Sequence, residues 1–375
     1  ENLNESQREA VVHKDGPMII IAGAGSGKTR VLTYRIAHLM SKGIDPFNIL
    51  ALTFTNKAAR EMKARVGSLL GKGETRGLIV STFHNLGLRI LGKEYKSLGY
   101  KSGFSVFDAT DTLVLIKGLY ANDSLSNVDD AEDARWRISR WKNDFIAPDQ
   151  AVSTAENDTE LKHAMLYGRY QRQLKAYNAF DFDDLILQPV VLFEEHPEVL
   201  EKWQKRIHYL LVDEYQDTNA SQYQLVKLLL GAEPRLTAVG DDDQSVYSWR
   251  GARPENLDLL NEDYPKLKLI KLEQNYRSSG RILKAANKLI DNNPHVFEKR
   301  LWSELGYGDP IKVVQARNED HEAEQVVSRL LAHKFHTGGR FSDYALLYRG
   351  NHQAGLLEKG RRDNQPEYQI SARIP

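Results

Sequence analysis

At 375 residues the chain is long enough for two or three domains, because single hydrophobic cores stop growing well below that length. A hydrophobic content of 41% and a charged content of 27% are those of a soluble globular protein, and no apolar run reaches the ~18 residues a membrane span needs. The absence of cysteine excludes disulfides and thiolate metal sites, and a formal net charge of +0 means that any nucleic-acid partner must meet a local groove rather than a global positive field.

The opening run Glu1-Asn2-Leu3-Asn4-Glu5-Ser6 is neither a signal peptide nor a basic transit segment, so a cytoplasmic location is expected. Pro17-Met18-Ile19-Ile20-Ile21-Ala22 is a short apolar run feeding a Gly-rich loop, and Lys28 through Met40 then carries a helical pattern. Similar runs recur at Ile49–Phe54, Leu78–Phe83, Tyr209–Val212, Leu236–Val239 and Leu269–Leu272. Near-continuous apolarity with helices between is the pattern of parallel strands covered on both faces, so these six runs are expected to form one α/β sheet.

Between about residues 85 and 180 the pattern changes. Asp111–Tyr120, Asp130–Trp141 and Leu161–Tyr177 read as helices, and Asn122–Asp133, rich in Asn, Asp and Ser, as a loop. Tyr167, Tyr170, Leu174 and Tyr177 fall at helical spacing and read as core packing. A helical insertion therefore interrupts the sheet domain. After Asn275 a new α/β pattern begins, with helices over Arg281–Asn292 and Glu319–His333 and strands expected at Ile311–Val314 and Tyr344–Tyr348. No closing strand precedes Pro375, so a fragment is the expectation.

The chemistry starts at Ala22-Gly23-Ala24-Gly25-Ser26-Gly27-Lys28-Thr29. Glycines let a backbone turn tightly against phosphate oxygens, and the following helix points its N-terminus at the anion. Lys28 is placed to neutralise the β- and γ-phosphates and Thr29 to offer a hydroxyl to Mg²⁺. Ala22 stands where the usual pattern begins with Gly, but Gly23, Gly25 and Gly27 remain. Asp213-Glu214, after the fourth apolar run, supplies a carboxylate for Mg²⁺ and one to orient and deprotonate an attacking water. A DE pair alone is ordinarily surface charge; in one sheet with a phosphate loop it implies a nucleoside triphosphatase.

Farther on, Gly240-Asp241-Asp242-Asp243-Gln244-Ser245-Val246-Tyr247-Ser248-Trp249-Arg250-Gly251 places an acidic trio in a loop after a strand. Gln244 can hydrogen-bond a γ-phosphate oxygen or the attacking water. Trp249 reads either as a stacking platform for a base or as packed core, and the residues leave both open. Arg277, in Gln274-Asn275-Tyr276-Arg277-Ser278-Ser279, reads either as a charge clamp on the γ-phosphate or as an interdomain salt bridge.

Seven motifs then stand in order: Leu3-Asn4-Glu5-Ser6-Gln7, AGAGSGKT, TFTNKAA at Thr53–Ala59, STFH at Ser81–His84, DEYQD, GDDDQSVYSWRGA and QNYRSS. This set resembles the superfamily 1A DNA helicases, the Rep, UvrD and PcrA group. The run from Leu272 to Gly308, with Asn293-Pro294-His295-Val296-Phe297-Glu298-Lys299-Arg300, lies nearest the Rep branch. The resemblance implies a RecA-like P-loop domain at residues 1–84 and 181–276, a helical accessory domain at 85–180 and a partial second RecA-like domain at 277–375. Matched by position, Gln7 becomes the adenine reader and Arg30 and Tyr276 the pair flanking the ring. Lys28, Glu214, Gln244 and Arg277 are the catalytic set, and Thr29 with Asp213 holds the metal. Phe54, Thr55, Asn56, His84, Phe182, Tyr247, Trp249 and Arg250 line the path of single-stranded DNA.

ATP and Mg²⁺ are the implied cofactors, and single-stranded and forked DNA the implied partners, with no membrane and with a monomer or a DNA-induced dimer. The implied activity is ATP-driven movement 3′ to 5′ along DNA in replication restart or repair. Two rivals stand beside it: a nucleotide- and DNA-binding fragment without turnover, and a helicase subunit of a repair nuclease complex. The family continues beyond this chain into a second accessory domain. Its usual Gly-Gly is Ala372-Arg373 here, and Gly360 interrupts an expected helix.

Overall fold

The computed structural model describes residues 3–14, 16–71, 73–121, 130–248, 251–295 and 297–348. The chain divides between Gly308 and Asp309 into two compact units. In the first lie eight strands: β1 (Met18–Ala22), β2 (Ile49–Thr53), β3 (Ile79–Thr82), β4 (Ser105–Phe107), β5 (Ala179–Asp181), β6 (Tyr209–Val212), β7 (Leu236–Gly240) and β8 (Lys268–Leu272). Six of them form one sheet in the order β3-β2-β6-β7-β1-β8, and each neighbouring pair is parallel. These are the six apolar runs, and the burial pattern says why they read so uniformly. Met18, Ile20 and Ala22 join Ile49, Ala51, Leu211 and Val239 in one cluster, while Ile19 and Ile21 join Leu50, Leu52, Leu210, Val212 and Ala238 in the other. In the inner strands alternate residues enter opposite cores, so no polar face is left to break the run, while edge strand β8 buries Ile270 and Leu272 on one face only.

Helices α1 (Glu5–Val12), α2 (Lys28–Ser41) and α3 (Asn56–Leu70) cover one face through Ala10, Val31, Leu32, Ile36, Met62 and Val66. The other face is covered by α4 (Phe83–Glu94) and by elements that follow the insertion. The insertion consists of α5 (Ala109–Ala121), α6 (Ala131–Asn143), α7 (Pro148–Ser153) and α8 (Asp158–Ala176), with its own core around Ile116, Ile138, Trp141, Tyr167 and Tyr170. Of the expected aromatic stripe, Tyr167, Tyr170 and Leu174 are buried, but Tyr177 caps the end of α8 and is 57% exposed. Residues 122–129 of the expected loop lie outside the described residues, and Ala131 onward is already helix. Short parallel β4 and β5, three residues each and unanticipated from sequence, pair where the chain enters and leaves this lobe.

After β5 come α9 (Asp184–Glu195), α10 (Pro197–Arg206), α11 (Ala220–Leu230) and α12 (Asn256–Asp263). They complete the second face with Ile186, Val190, Phe193, Trp203, Leu225, Leu229 and Leu257. Gly87 lets α4 and α9 touch: a Cβ there would stand 1.6 Å from the Leu185 carbonyl oxygen.

The seam between insertion and sheet is polar and buried. Lys142 of α6, with no exposed side-chain surface, sets its Nζ 2.6 Å from Asp181 Oδ2 and 2.9 Å from Asp184 Oδ1. Tyr170 donates its hydroxyl to Asp181 at 2.7 Å, and Gln171 donates to Asp184 at 2.9 Å. Burial alone would lower the Lys142 pKa; the two carboxylates outweigh it and hold the ammonium well above its ordinary range. Asn219, the N-cap of α11, donates to Asn143 Oδ1 at 2.6 Å, so the start of that helix is tied to the same seam.

The first unit closes with α13 (Gly280–Ile290). The second unit contains α14 (Glu319–Thr337), capped by Asn318, which accepts from His321 N at 2.9 Å, and stopped by Gly338 at φ 65°. The strands expected at Ile311–Val314 and Tyr344–Tyr348 do not form. Those residues join no β-ladder among the described residues, and Val313 and Leu347 are 94% and 93% exposed. An apolar run is a strand only when another strand takes its hydrogen bonds.

Candidate nucleotide and DNA site

Every strand of the large sheet delivers functional side chains at its carboxyl end, where parallel sheets bind ligands. From the β3 edge inward these are His84 after β3, Phe54 after β2 and Asp213-Glu214 after β6. The Asp241–Tyr247 loop then follows β7, residues 22–29 follow β1, and Asn275–Arg277 follows β8. The Gly-rich loop and half-buried aromatic rings thus share one edge of one sheet.

The phosphate loop turns at Gly25 and Gly27, with φ of 74° and 89°, a region that side chains other than glycine's avoid. Space is short as well. A Cβ on Gly25 would stand 2.6 Å from Asn275 Nδ2, and one on Gly27 would stand 2.9 Å from Gln7 Nε2. Asn275 braces the loop by donating to Ala24 O at 2.5 Å while accepting from the amides of Arg277 and Ser278 at 2.8 and 2.7 Å. Tyr276 N donates to Gly25 O at 2.9 Å. Ser26 Oγ donates to Gly23 O at 2.7 Å, closing the turn from inside. Helix α2 begins at Lys28 with no side-chain cap, so its first amides are available to an anion.

Lys28 Nζ lies 2.8 Å from Glu214 Oε2 and 3.3 Å from Gln244 Oε1. Gln216, buried, donates to Glu214 Oε2 at 3.0 Å and accepts from Asp241 N at 3.0 Å. Glu214 itself takes a left-handed backbone, φ 51°, which a residue with a side chain adopts only when its surroundings enforce it. Asp213 is buried, and burial, with Glu214 adding to it against Lys28, pushes its pKa up to about 7. Asp217 is raised to about 6 in the same way. Of these carboxylates Glu214 contacts the ammonium directly, while Asp213 and Asp217 feel its charge; carboxylate oxygens are the hard donors that Mg²⁺ prefers.

The raised Asp213 has a consequence for stability. Its neutral form favours the fold, so its contribution is fully present below the ordinary carboxylate range and is lost as pH rises through about 7. Asp213→Asn, which keeps the hydrogen bond accepted from Glu214 N, is therefore expected to raise the melting temperature of ligand-free protein at pH 8. The gain is on the order of a few kcal/mol and should disappear near pH 4. A melting temperature at pH 8 equal to or below that of the unmodified protein would contradict it.

The adenine set is only partly free. Gln7 is buried, donates to Ser26 O at 2.9 Å and accepts from Asn4 N at 3.2 Å, so both amide atoms are engaged. Tyr276 is exposed, and its hydroxyl accepts from Asn4 at 2.8 Å and donates to Gln274 at 2.9 Å. Arg30 lies over Tyr34, 5.7 Å from the ring centroid. Arg277 is exposed beside the phosphate loop.

Four of the expected DNA aromatics form two stacks. Phe54 and Tyr247 lie 4.9 Å apart at 25°, and His84 and Phe182 lie 3.9 Å apart at 24°. Phe182 is 55% exposed. His84 is pushed down to about 4 by burial, so it offers a neutral ring and no cation. Thr55 caps α3 by accepting from Ala58 N at 3.1 Å, and Asn56 accepts from Asn85 at 2.8 Å. Trp249 and Arg250 lie outside the described residues.

Residues 3–265 match the UvrD/REP helicase N-terminal domain, and residues 270–374 match the UvrD-like helicase C-terminal domain. The chain belongs to the UvrD/Rep helicase family. It is 57% identical to the ATP-dependent DNA helicase Rep of Escherichia coli (strain K12), over 98% of this chain and 55% of that protein. Identity is 46% to Rep of Buchnera aphidicola subsp. Schizaphis graminum, over 99% and 56% of the two chains. It is 45% to PcrA of Staphylococcus epidermidis (strain ATCC 35984), over 96% and 49%. The chain thus spans about half the length of the curated relatives it matches. For this member of the family the α/β sheet with a helical insertion is as the motifs implied. No helix among the described residues is long and apolar enough to cross a membrane.

Sequence reasoning passed over three residues that the structure brings to this edge: Asn4, Gln216 and Asn275. Asn275 stood inside the QNYRSS run, and its position before Tyr276 was the available signal.

Proposed function

We propose that this chain carries the ATP-binding and ATP-hydrolysing machinery of a DNA helicase that moves 3′ to 5′ along single-stranded DNA in replication restart or repair. It works in the cytoplasm on single-stranded and forked DNA, as a monomer or a DNA-induced dimer. The observation that supports this reading best is Lys28 between Glu214 and Gln244, at 2.8 and 3.3 Å, on the sheet edge that also carries the aromatic stacks. Residues 1–84 and 181–276 form the first RecA-like domain in this proposal, 85–180 its accessory domain, and 277–375 the beginning of the second.

Residues 22–29 and the amides of α2 receive the phosphates, and Gln7, Arg30 and Tyr276 surround the base. Thr29 and Asp213 would hold Mg²⁺, which supplies positive charge against the phosphate oxygens. Phosphate arriving at Lys28 competes with Glu214 for the ammonium, and the released carboxylate becomes free to take a proton from water. Gln244 senses the same ammonium, and its loop runs on to Tyr247, which stacks on Phe54. Arg277 approaches from the β8 side. Occupancy at the phosphates and the position of an aromatic platform are therefore joined through the four residues Gln244–Tyr247 of one loop.

The test is a titration of oligo-dT against full-length protein carrying Phe182→Ala. Affinity for single-stranded DNA is expected to weaken by about 1–3 kcal/mol, the size of one base–aromatic stack, at fixed salt and with an unchanged melting temperature. Unaltered affinity would make the His84–Phe182 pair surface packing. Stimulation of ATP hydrolysis by DNA, and release of streptavidin from one labelled end only, read the coupling and its direction.

A further inference from the structure

Lys299 belongs to none of the seven motifs, yet its ammonium meets three carboxylates of one of them. Its Nζ is 2.7 Å from Asp241 Oδ1, 2.9 Å from Asp242 Oδ1 and 2.5 Å from Asp243 Oδ2, with only 5% of the side chain exposed. His295, from the same segment, meets Asp243 Oδ1 at 3.0 Å. Burial would lower the Lys299 pKa; the aspartates overcome it and hold the ammonium above its ordinary range. The acidic trio after β7 is thus a socket already filled by a lysine of the same chain.

Asp241 links that socket to the hydrolysis site. One of its oxygens takes Lys299 at 2.7 Å and the amide of Asp243 at 3.2 Å, and the other takes the side-chain amide of Gln244. The backbone amide of Asp241 donates to Gln216, which holds Glu214. Lys28 closes the ring by touching both Glu214 and Gln244. The orientation of Gln244 follows from this chemistry. A carboxylate only accepts, so Asp241 takes the NH₂; an ammonium only donates, so Lys28 takes the carbonyl oxygen. Both neighbours demand the same rotation of the amide.

We propose that Lys299 is a positioning residue for hydrolysis: by clamping Asp241 it keeps Gln244 turned with its carbonyl oxygen toward Lys28 and the attacking water. This rests on the reading of residues 22–29 and 213–214 as the hydrolysis site. Without Lys299 three carboxylates face one another with no cation between them, their repulsion drives Asp241 to move, and Gln244 loses the acceptor that orients it.

The experiment is a double-mutant cycle on ATP hydrolysis in full-length protein carrying these residues, with saturating oligo-dT. Lys299→Met and Gln244→Ala are each expected to lower kcat about tenfold with KM for ATP changed less than about threefold, and the double variant is expected to be no slower than the slower single. Lys299→Arg, which restores the charge but not the compact three-way contact, should recover part of the loss. Multiplicative effects in the double variant would overturn the proposal. So would a Lys299→Met protein that melts lower but keeps kcat and KM per folded molecule. If Lys299→Met does not fold, Asp241→Asn takes its place in the cycle with the same expectation. Glu214→Gln, run alongside, separates the two readings: turnover surviving in that variant refutes the hydrolysis site itself. A dead Glu214→Gln with normal Lys299 variants refutes only the clamp.

Discussion

Lys28→Ala is expected to reduce ATP hydrolysis by about 10²–10³-fold or more in full-length protein, the loss typical of removing one preorganised charge partner from a reacting centre. Lys28 is the only cationic side chain within the loop of residues 22–29, and only 11% of it is exposed, so solvent cannot replace it. It also organises the acids: the ammonium bridges Glu214 and Gln244, and removing it leaves Asp213, Glu214 and Asp217 facing one another. Nucleotide affinity should therefore fall together with turnover. Glu214→Gln is expected to part the two. The amide keeps the shape of the carboxylate but cannot take a proton, so a fluorescent ATP analogue should still bind in the presence of Mg²⁺ while hydrolysis stops. Near-normal turnover in Lys28→Ala would remove the assignment of the site. A Glu214→Gln protein that loses binding as completely as turnover would make Glu214 a support for the loop rather than a base.

The six sheet strands and the three long insertion helices were legible because their information is local. A strand buried on both faces writes a continuous apolar run, and a helix with one buried face writes a 3.6-residue period. The phosphate loop was legible for the same reason, since strand, glycines, Lys28 and Thr29 are contiguous. What stayed hidden depends on pairing across distance. Strands β4 and β5 are three residues each and exist because they meet. The runs at Ile311–Val314 and Tyr344–Tyr348 have strand composition and no partner among the described residues. Gln216 follows the DE pair in a polar run with nothing local to mark it, and is buried between Glu214 and Asp241. Lys142 sits in a helix with five other charged residues, none of them fully buried, and its charge alone does not mark it as the one that faces inward.

Lys142→Ala is expected to be the most destabilising single change in the insertion, at about 3–5 kcal/mol near neutral pH, because breaking a buried ion pair leaves uncompensated charge. Two carboxylates converge on Lys142 Nζ at 2.6 and 2.9 Å, and all three side chains are essentially excluded from water. With the ammonium held above its ordinary range, its contribution is fully present at pH 5 to 9 and is lost only far into the alkaline range. The variant behaves differently with pH. Burial already raises Asp184, and with the cation gone it would rise further. Its neutral form favours the fold, so the variant should be nearest to the unmodified protein at about pH 5 and fall away as pH climbs toward 8. Melting curves of both proteins at the two pH values read the divergence directly. A control carries Lys142→Met with Asp181→Asn and Asp184→Asn. Removing all three charges together should restore much of the lost stability, since a neutral, well-packed replacement avoids the desolvation that the triad must overcome. A Lys142→Ala protein with unchanged melting at pH 8, or one whose deficit is the same at pH 5, would show that the seam between α6, β5 and α9 is held by its apolar neighbours instead.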